Sequence, residues 1–210
     1  VAAYQIEKES VKKYPQFSLT SRLDADRKQI HRLADWIQKD LFQAKGVSSL
    51  RLIYTQRTPN PEHGASDWLS EIWVCDSDGS SARQITQQSA YCLTPYFFPK
   101  KLEDADFYFV SHLGGQSKIY KASLENPAPE PMVDLRGNQL LPSLSKKGNL
   151  MAFISDAAGR PDLFIQHFDA KAKMVGKARQ LFSATRATQA SPTFNPEGTE
   201  VAFVSDKDGP

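Results

Sequence analysis

The chain has 210 residues, 40% of them hydrophobic and 24% charged, with a formal net charge of +2. That length suits one large domain or two small ones, and the composition excludes a largely disordered chain. The near-neutral charge is spread along the sequence and excludes binding to nucleic acid or anionic membrane by charge alone. No apolar run approaches the ~18 residues of a membrane-spanning helix.

A chain opening on Val1 reads as a mature or trimmed form, so the lack of a visible leader carries no information about compartment. "VAAYQIE" (1–7) and "QFSLTSRL" (16–23) read as strands. From Asp24 to Lys45 the period changes: Ile30, Leu33, Ala34, Ile37 and Leu41 form one apolar helical stripe, read as a core face. Asp24 and Asp26 suit the positive end of the helix dipole, and Lys45 with Gly46 suits its C-terminus. This is a small α+β piece.

After Gly46 the sequence turns to short β-rich runs: "RLIYTQ", "EIWVCD", "RQIT", "FYFVS", "KIYKAS", "MAFIS", "DLFIQHF" and "VAFVS". Gly, Pro, Asn and Asp cluster between them, as in a sandwich, barrel or propeller. "DSDG" (76–79) reads as a hairpin turn. A repeat decides among these folds. Pro95, Pro142 and Pro192, 47 and 50 residues apart, each open a similar phrase. The strand after each carries Val110-Ser111, Ile154-Ser155 or Val204-Ser205. Each unit then turns at Gly114-Gly115 or Ala158-Gly159, runs a third strand, and closes with a fourth such as "PMVDL" or "ARQLF". A four-stranded unit of this length is a propeller blade, whose faces must be covered by neighbouring blades. About three and a half blades are present, and an open half-ring exposes a blade face. The chain is therefore expected to be a fragment of a longer protein.

The fullest copy runs Ser191-Pro192-Thr193-Phe194-Asn195-Pro196-Glu197-Gly198, then Val201-Ala202-Phe203-Val204-Ser205-Asp206-Lys207-Asp208-Gly209. It resembles the repeat shared by the TolB family and by propellers of prolyl-oligopeptidase-type serine peptidases. The helix running through "QAKGVSSLRLIYTQR" into the first blade is similar to the TolB family over essentially the whole chain. The resemblance implies a mixed fold: residues 1–46 as the end of an N-terminal α+β domain, and 47–210 as the first half of an all-β propeller, six-bladed when complete. It also implies a non-enzymatic periplasmic scaffold of the Tol–Pal cell-envelope system, without cofactor, supporting outer-membrane integrity and cell division. In that family the propeller binds the peptidoglycan-associated lipoprotein, Pal, near the mouth of the central channel. An N-terminal segment, absent here, engages TolA. The family's Pal-facing positions are inter-blade loops just before each proline. Here these are Leu93 and Thr94; Asn138, Gln139, Leu140 and Leu141; and Thr188, Gln189, Ala190 and Ser191. Asn138 stands where the family often has histidine, and Ser191 where it often has an acid. The alternative is a substrate-gating propeller of a serine peptidase whose catalytic domain lies outside these residues.

Other chemistry is sparse. His31, His63, His112 and His167 show no ligand spacing, so no metal site is expected. Asp156, Asp206 and Asp208 follow strand ends and read as Asx turns rather than a calcium loop. There is no G-x-S-x-G elbow, P-loop or G-x-G-x-x-G. Trp68 and Trp73 read as core or as an exposed binding patch. Cys75 and Cys92 match no zinc or redox spacing and read as two buried thiols or one disulfide.

Overall fold

A computed structural model describes residues 2–5, 10–62, 66–99, 105–169 and 171–209. The chain divides into two compact units, Val1–Leu52 with Val74–Arg83, and Ile53–Trp73 with Gln84–Pro210.

In the first unit, β1 (Ala2–Gln5) and β2 (Ser10–Lys13) form an antiparallel hairpin, with Ala2 opposite Lys13. The expected strand over 16–23 does not form. That segment is irregular up to α1 (Leu23–Phe42), because it leads into the helix: the Thr20 amide and hydroxyl donate to Asp26 Oδ1 at 2.7 and 2.9 Å. Those bonds hold the Asp26 carboxyl below its ordinary pKa. The helix ends earlier than expected, with Gln43 taking the left-handed conformation at φ 53°. Gly46 serves close approach instead, since a Cβ there would lie 2.2 Å from Asp35 Oδ1. The same carboxylate accepts the Ser48 and Ser49 amides at 2.7 and 2.9 Å, folding the linker back on the helix. The stripe is only partly a core face: Leu33 is buried, whereas Ile30 and Leu41 are half exposed.

A three-stranded sheet follows, in the order β3 (Arg51–Pro59), β4 (Trp68–Asp76), β5 (Arg83–Gln84). The next two sheets are four-stranded antiparallel meanders: β6 (Cys92–Phe97), β7 (Asp106–Ser111), β8 (Lys118–Ser123), β9 (Glu130–Pro131); then β10 (Gln139–Leu144), β11 (Leu150–Ser155), β12 (Asp162–Phe168), β13 (Met174–Phe182). The strands β14 (Gln189–Phe194) and β15 (Val201–Ser205) pair as a fifth sheet.

These are blades, and their packing explains the apolar runs. In "MAFI" of β11 every residue is buried, because both faces of the sheet are covered. Met151 and Phe153 join Tyr108, Val110, Ile119 and Phe164 in one cluster. Ala152 and Ile154 point the other way, joining Leu163 with Phe182, Phe194 and Phe203. The fourth strand of the second blade is shorter than "PMVDL": β9 covers only Glu130–Pro131, the Met132 amide still donates to the Ile119 carbonyl at 2.9 Å, and the Met132 and Val133 side chains fill the core. Cys75 and Cys92 are both free thiols in the structure, and both are buried. Burial, with a smaller contribution from the nearby Glu71 charge, pushes the Cys92 thiol up to about 12.

Candidate functional site

All but Asn138 and Thr188 of the ten candidate residues lie inside strands rather than in loops. They open the first strand of three successive blades. In each strand the ladder to the next strand slips by one residue: between Leu93 and Tyr96, between Leu140 and Ser143, and between Ala190 and Thr193. The slip is a β-bulge, and the extra residue stands at positive φ: Thr94 at 48°, Leu141 at 50°, Ser191 at 48°. The repeating proline follows immediately. It has no N–H to lose from the ladder, which is why it fits at a bulge. Holding a non-glycine residue there costs about 1–2 kcal/mol each time. Packing must supply that cost three times over.

The bulge breaks strict alternation. Leu140 and Leu141 are both exposed, at 37% and 40%, although they are sequence neighbours. Thr94, Thr188 and Ser191 are also exposed, while Leu93 and Ala190 are half-buried. Gln139 and Gln189 face inward and are fully buried. Gln139 Oε1 accepts the Ile119 amide at 3.2 Å, and its Nε2 donates to the Val133 and Leu135 carbonyls at 3.3 and 2.9 Å. Gln189, with its amide nitrogen turned towards acceptors, donates to the Pro161 carbonyl and to Asp162 Oδ1. Each glutamine thus ties its blade to the preceding one.

Sequence reasoning missed what holds these strand starts. Asp156 and Asp206 do not close Asx turns. The preceding serines do that: Ser155 Oγ accepts the Ala157 amide at 3.2 Å, and Ser205 Oγ accepts the Lys207 amide at 3.3 Å. The aspartates are thereby free to reach across to the first strand. Asp156 accepts the Asn138 amide at 2.6 Å and its side-chain Nδ2 at 2.7 Å; Asp206 accepts the Thr188 amide at 2.6 Å. Asn138 Oδ1 in turn accepts the Ser117 amide at 3.1 Å, so its side chain is committed to the frame. Lys118 Nζ donates to the Leu135 and Gly137 carbonyls, both at 2.6 Å. Gly137 stands at φ +73°, where a Cβ would meet Asp156 Oδ1 at 2.2 Å. The repeated Ser-Asp pair was the signal that could have revealed this clasp. Tyr96, half exposed and stacked on Tyr108 with centroids 5.6 Å apart, was also missed.

A sequence profile described as "TolB beta propeller domain" matches residues 39–210. The chain belongs to the TolB family. It is 47% identical over 189 residues to a "Protein TolB homolog" of Protochlamydia amoebophila, which covers 89% of this chain and 40% of that one. The chain therefore spans about 40% of the length of this TolB relative. The crystal structure of TolB from Acinetobacter baumannii superposes with a TM-score of 0.74 at 22% identity, over 99% of this chain and 48% of that one, a likeness of fold. Puromycin hydrolase shares the fold at TM-score 0.55 and 14% identity, over 74% of this chain and 28% of that one.

The remaining candidate groups find ordinary partners. His112 packs edge-on against Tyr91 with centroids 6.0 Å apart, and its Nε2 lies 3.1 Å from Ser117 Oγ. His31 Nε2 lies 3.3 Å from Asp78 Oδ2. His167 is exposed in β12, and His63 lies outside the described residues. Among the described residues no group of three His, Cys, Asp or Glu side chains converges as a metal site. Trp68 is exposed and stacks under Arg57, 4.5 Å from guanidinium carbon to ring centroid, while Trp73 is half-buried. No helix among the described residues is long and apolar enough to cross a membrane.

Proposed function

We propose that the chain is part of a non-enzymatic periplasmic scaffold of the Tol–Pal cell-envelope system. It captures the peptidoglycan-associated lipoprotein on the starts of β6, β10 and β14, and so supports outer-membrane integrity and cell division. TolA is engaged by an N-terminal segment outside these residues. In this reading residues 1–46 end an α+β domain and 47–210 belong to a propeller of six blades when whole.

The observation that carries the proposal is the division of labour within the ten residues. Gln139, Gln189 and Asn138 spend their polar groups on the frame. Thr94, Leu140, Leu141, Thr188 and Ser191 are left exposed, four of them at strand starts and Thr188 just before one. A rigid, mixed apolar and polar surface loses little entropy on binding a folded partner. An interface of standard size buries about 1,600 Å² in total. No cofactor enters the mechanism, and the family membership supports binding over turnover. The peptidase-gating alternative rests on a shared fold alone.

The test is the double variant Leu140→Asp with Leu141→Asp in the intact protein, titrated calorimetrically with Pal. Binding is expected to be lost while the melting temperature stays nearly unchanged. Unaltered affinity rules out this face; a large fall in melting temperature makes the two leucines core residues.

A further inference from the structure

We propose that the first unit carries a binding site for a phosphate group that retains a proton, in a cavity beside α1. The cavity holds about 250 Å³ and is lined by Lys28, His31, Arg32, Ser49, Arg51 and Asp76. Lys28, His31 and Arg32 share one helical face by their spacing, and Arg51 opens β3. Among the described residues the side chains of Lys28, Arg32 and Arg51 have no ion-pair or hydrogen-bond partner. Three unpaired cations around one concavity repel one another, and Lys28 and Arg32 do so at the i,i+4 spacing. An anion relieves that repulsion, and two guanidinium forks match the oxygens of a phosphate.

The neighbouring acids sharpen the choice of anion. Asp78 does not neutralise the cavity, because it is taken up by His31, by Arg27 at 4.0 Å and by the Ser80 amide at 2.9 Å. Asp76 lines the cavity, and its Oδ2 is buried without a donor. A buried acceptor left empty costs about 1–3 kcal/mol. A fully ionised anion such as sulfate cannot satisfy it and is repelled. Inorganic phosphate keeps at least one O–H near neutral pH, and a phosphate monoester keeps one below its second pKa near ~6; that O–H donates to Asp76 while the other oxygens meet the cations. The same chemistry is offered by free phosphate, by a soluble monoester and by a phosphomonoester lipid headgroup.

The test titrates the intact protein at pH 6 and low ionic strength with inorganic phosphate and, separately, with sulfate, read by amide NMR shifts. Phosphate is expected to bind at least ~10-fold more tightly than sulfate, and Arg32→Gln to weaken phosphate by ~10-fold. Arg32 is exposed on the helix, so this variant keeps the fold, which circular dichroism checks. Asp76→Asn is expected to erase the discrimination, admitting sulfate as well as phosphate. Sedimentation with phosphatidylcholine vesicles, with and without phosphatidic acid, separates the sources. Pelleting that depends on phosphatidic acid assigns a lipid headgroup, and phosphate binding without pelleting assigns a soluble ligand. No phosphate binding, equal affinity for the two anions, or indifference to Arg32→Gln overturns the site.

Discussion

Two junctions between neighbouring blades do the same job with different chemistry. Between the second and third blades the tie is a neutral amide. Gln139 opens β10 and satisfies one backbone amide and two carbonyls of the blade before it. The corresponding position of β6 is Cys92, whose thiol makes only long contacts, 3.5 Å to Gln88 Oε1 and 3.8 Å to Ser111 Oγ. There the tie comes from the other side. Glu71 of β4, 7% exposed, accepts the Gln88 and Ser89 amides at 2.7 and 2.8 Å and the Thr86 hydroxyl. The clasp beneath differs too. Where the third and fourth blades place Asp156 and Asp206, the second has His112, and its link to Tyr91 is a backbone bond, His112 amide to Tyr91 carbonyl, at 3.0 Å. What recurs from blade to blade is a set of satisfied backbone groups. The side chain that satisfies them is interchangeable, and it need not stand at the same position.

That contrast yields graded expectations. Removing the charged tie should hurt most. Glu71→Ala strands three donors around a buried site, and we expect a loss of about 4 kcal/mol in chemical denaturation. Gln139→Leu strands the Ile119 amide and the Val133 carbonyl, while the Leu135 carbonyl keeps Lys118, and about 2 kcal/mol is expected. Equal and small effects, under about 1 kcal/mol, would mean that apolar packing alone joins the blades. Gly137→Ala should cost about 2 kcal/mol, from the positive φ and the clash with Asp156; in the background of Asp156→Ala, which by itself loses the two Asn138 bonds, the further cost of Gly137→Ala should shrink by the clash alone.

The smallest effect follows from Cys92. Its folded pKa, about 12, lies above the ordinary thiol value, so the neutral thiol is the form that folding favours. Its contribution is complete below about pH 9 and is lost as the pH rises from about 9 towards about 12. Between pH 8 and pH 10 the wild type should lose about 1 kcal/mol more than Cys92→Ala. A difference of zero would place the thiol in contact with solvent.

Much of the propeller was legible because each strand is an apolar run between turn residues. "KIYKAS", "DLFIQHF" and "VAFVS" coincide with β8, β12 and β15. The helix end was not legible, since Gln43 takes a conformation usually left to glycine while Gly46 serves packing against Asp35. The alternation in "QFSLTSRL" misled for a related reason: Thr20 within it is claimed by Asp26. At the candidate face the repeating proline marked the right place. It could not reveal the bulge, which turns Gln139 inward and leaves Leu140 and Leu141 both outward. Alternation read from sequence assumes an unbroken ladder, and the ladder slips at this point in all three blades.

The most direct measurement is hydrogen–deuterium exchange of the intact protein with and without Pal. Protection on complex formation is expected at residues 93–94, 138–141 and 188–191, with the outer strand β13 unchanged. Protection confined to β13 or to the helix α1, with those three segments exchanging as in the free protein, would contradict a docking face built on the bulged strand starts.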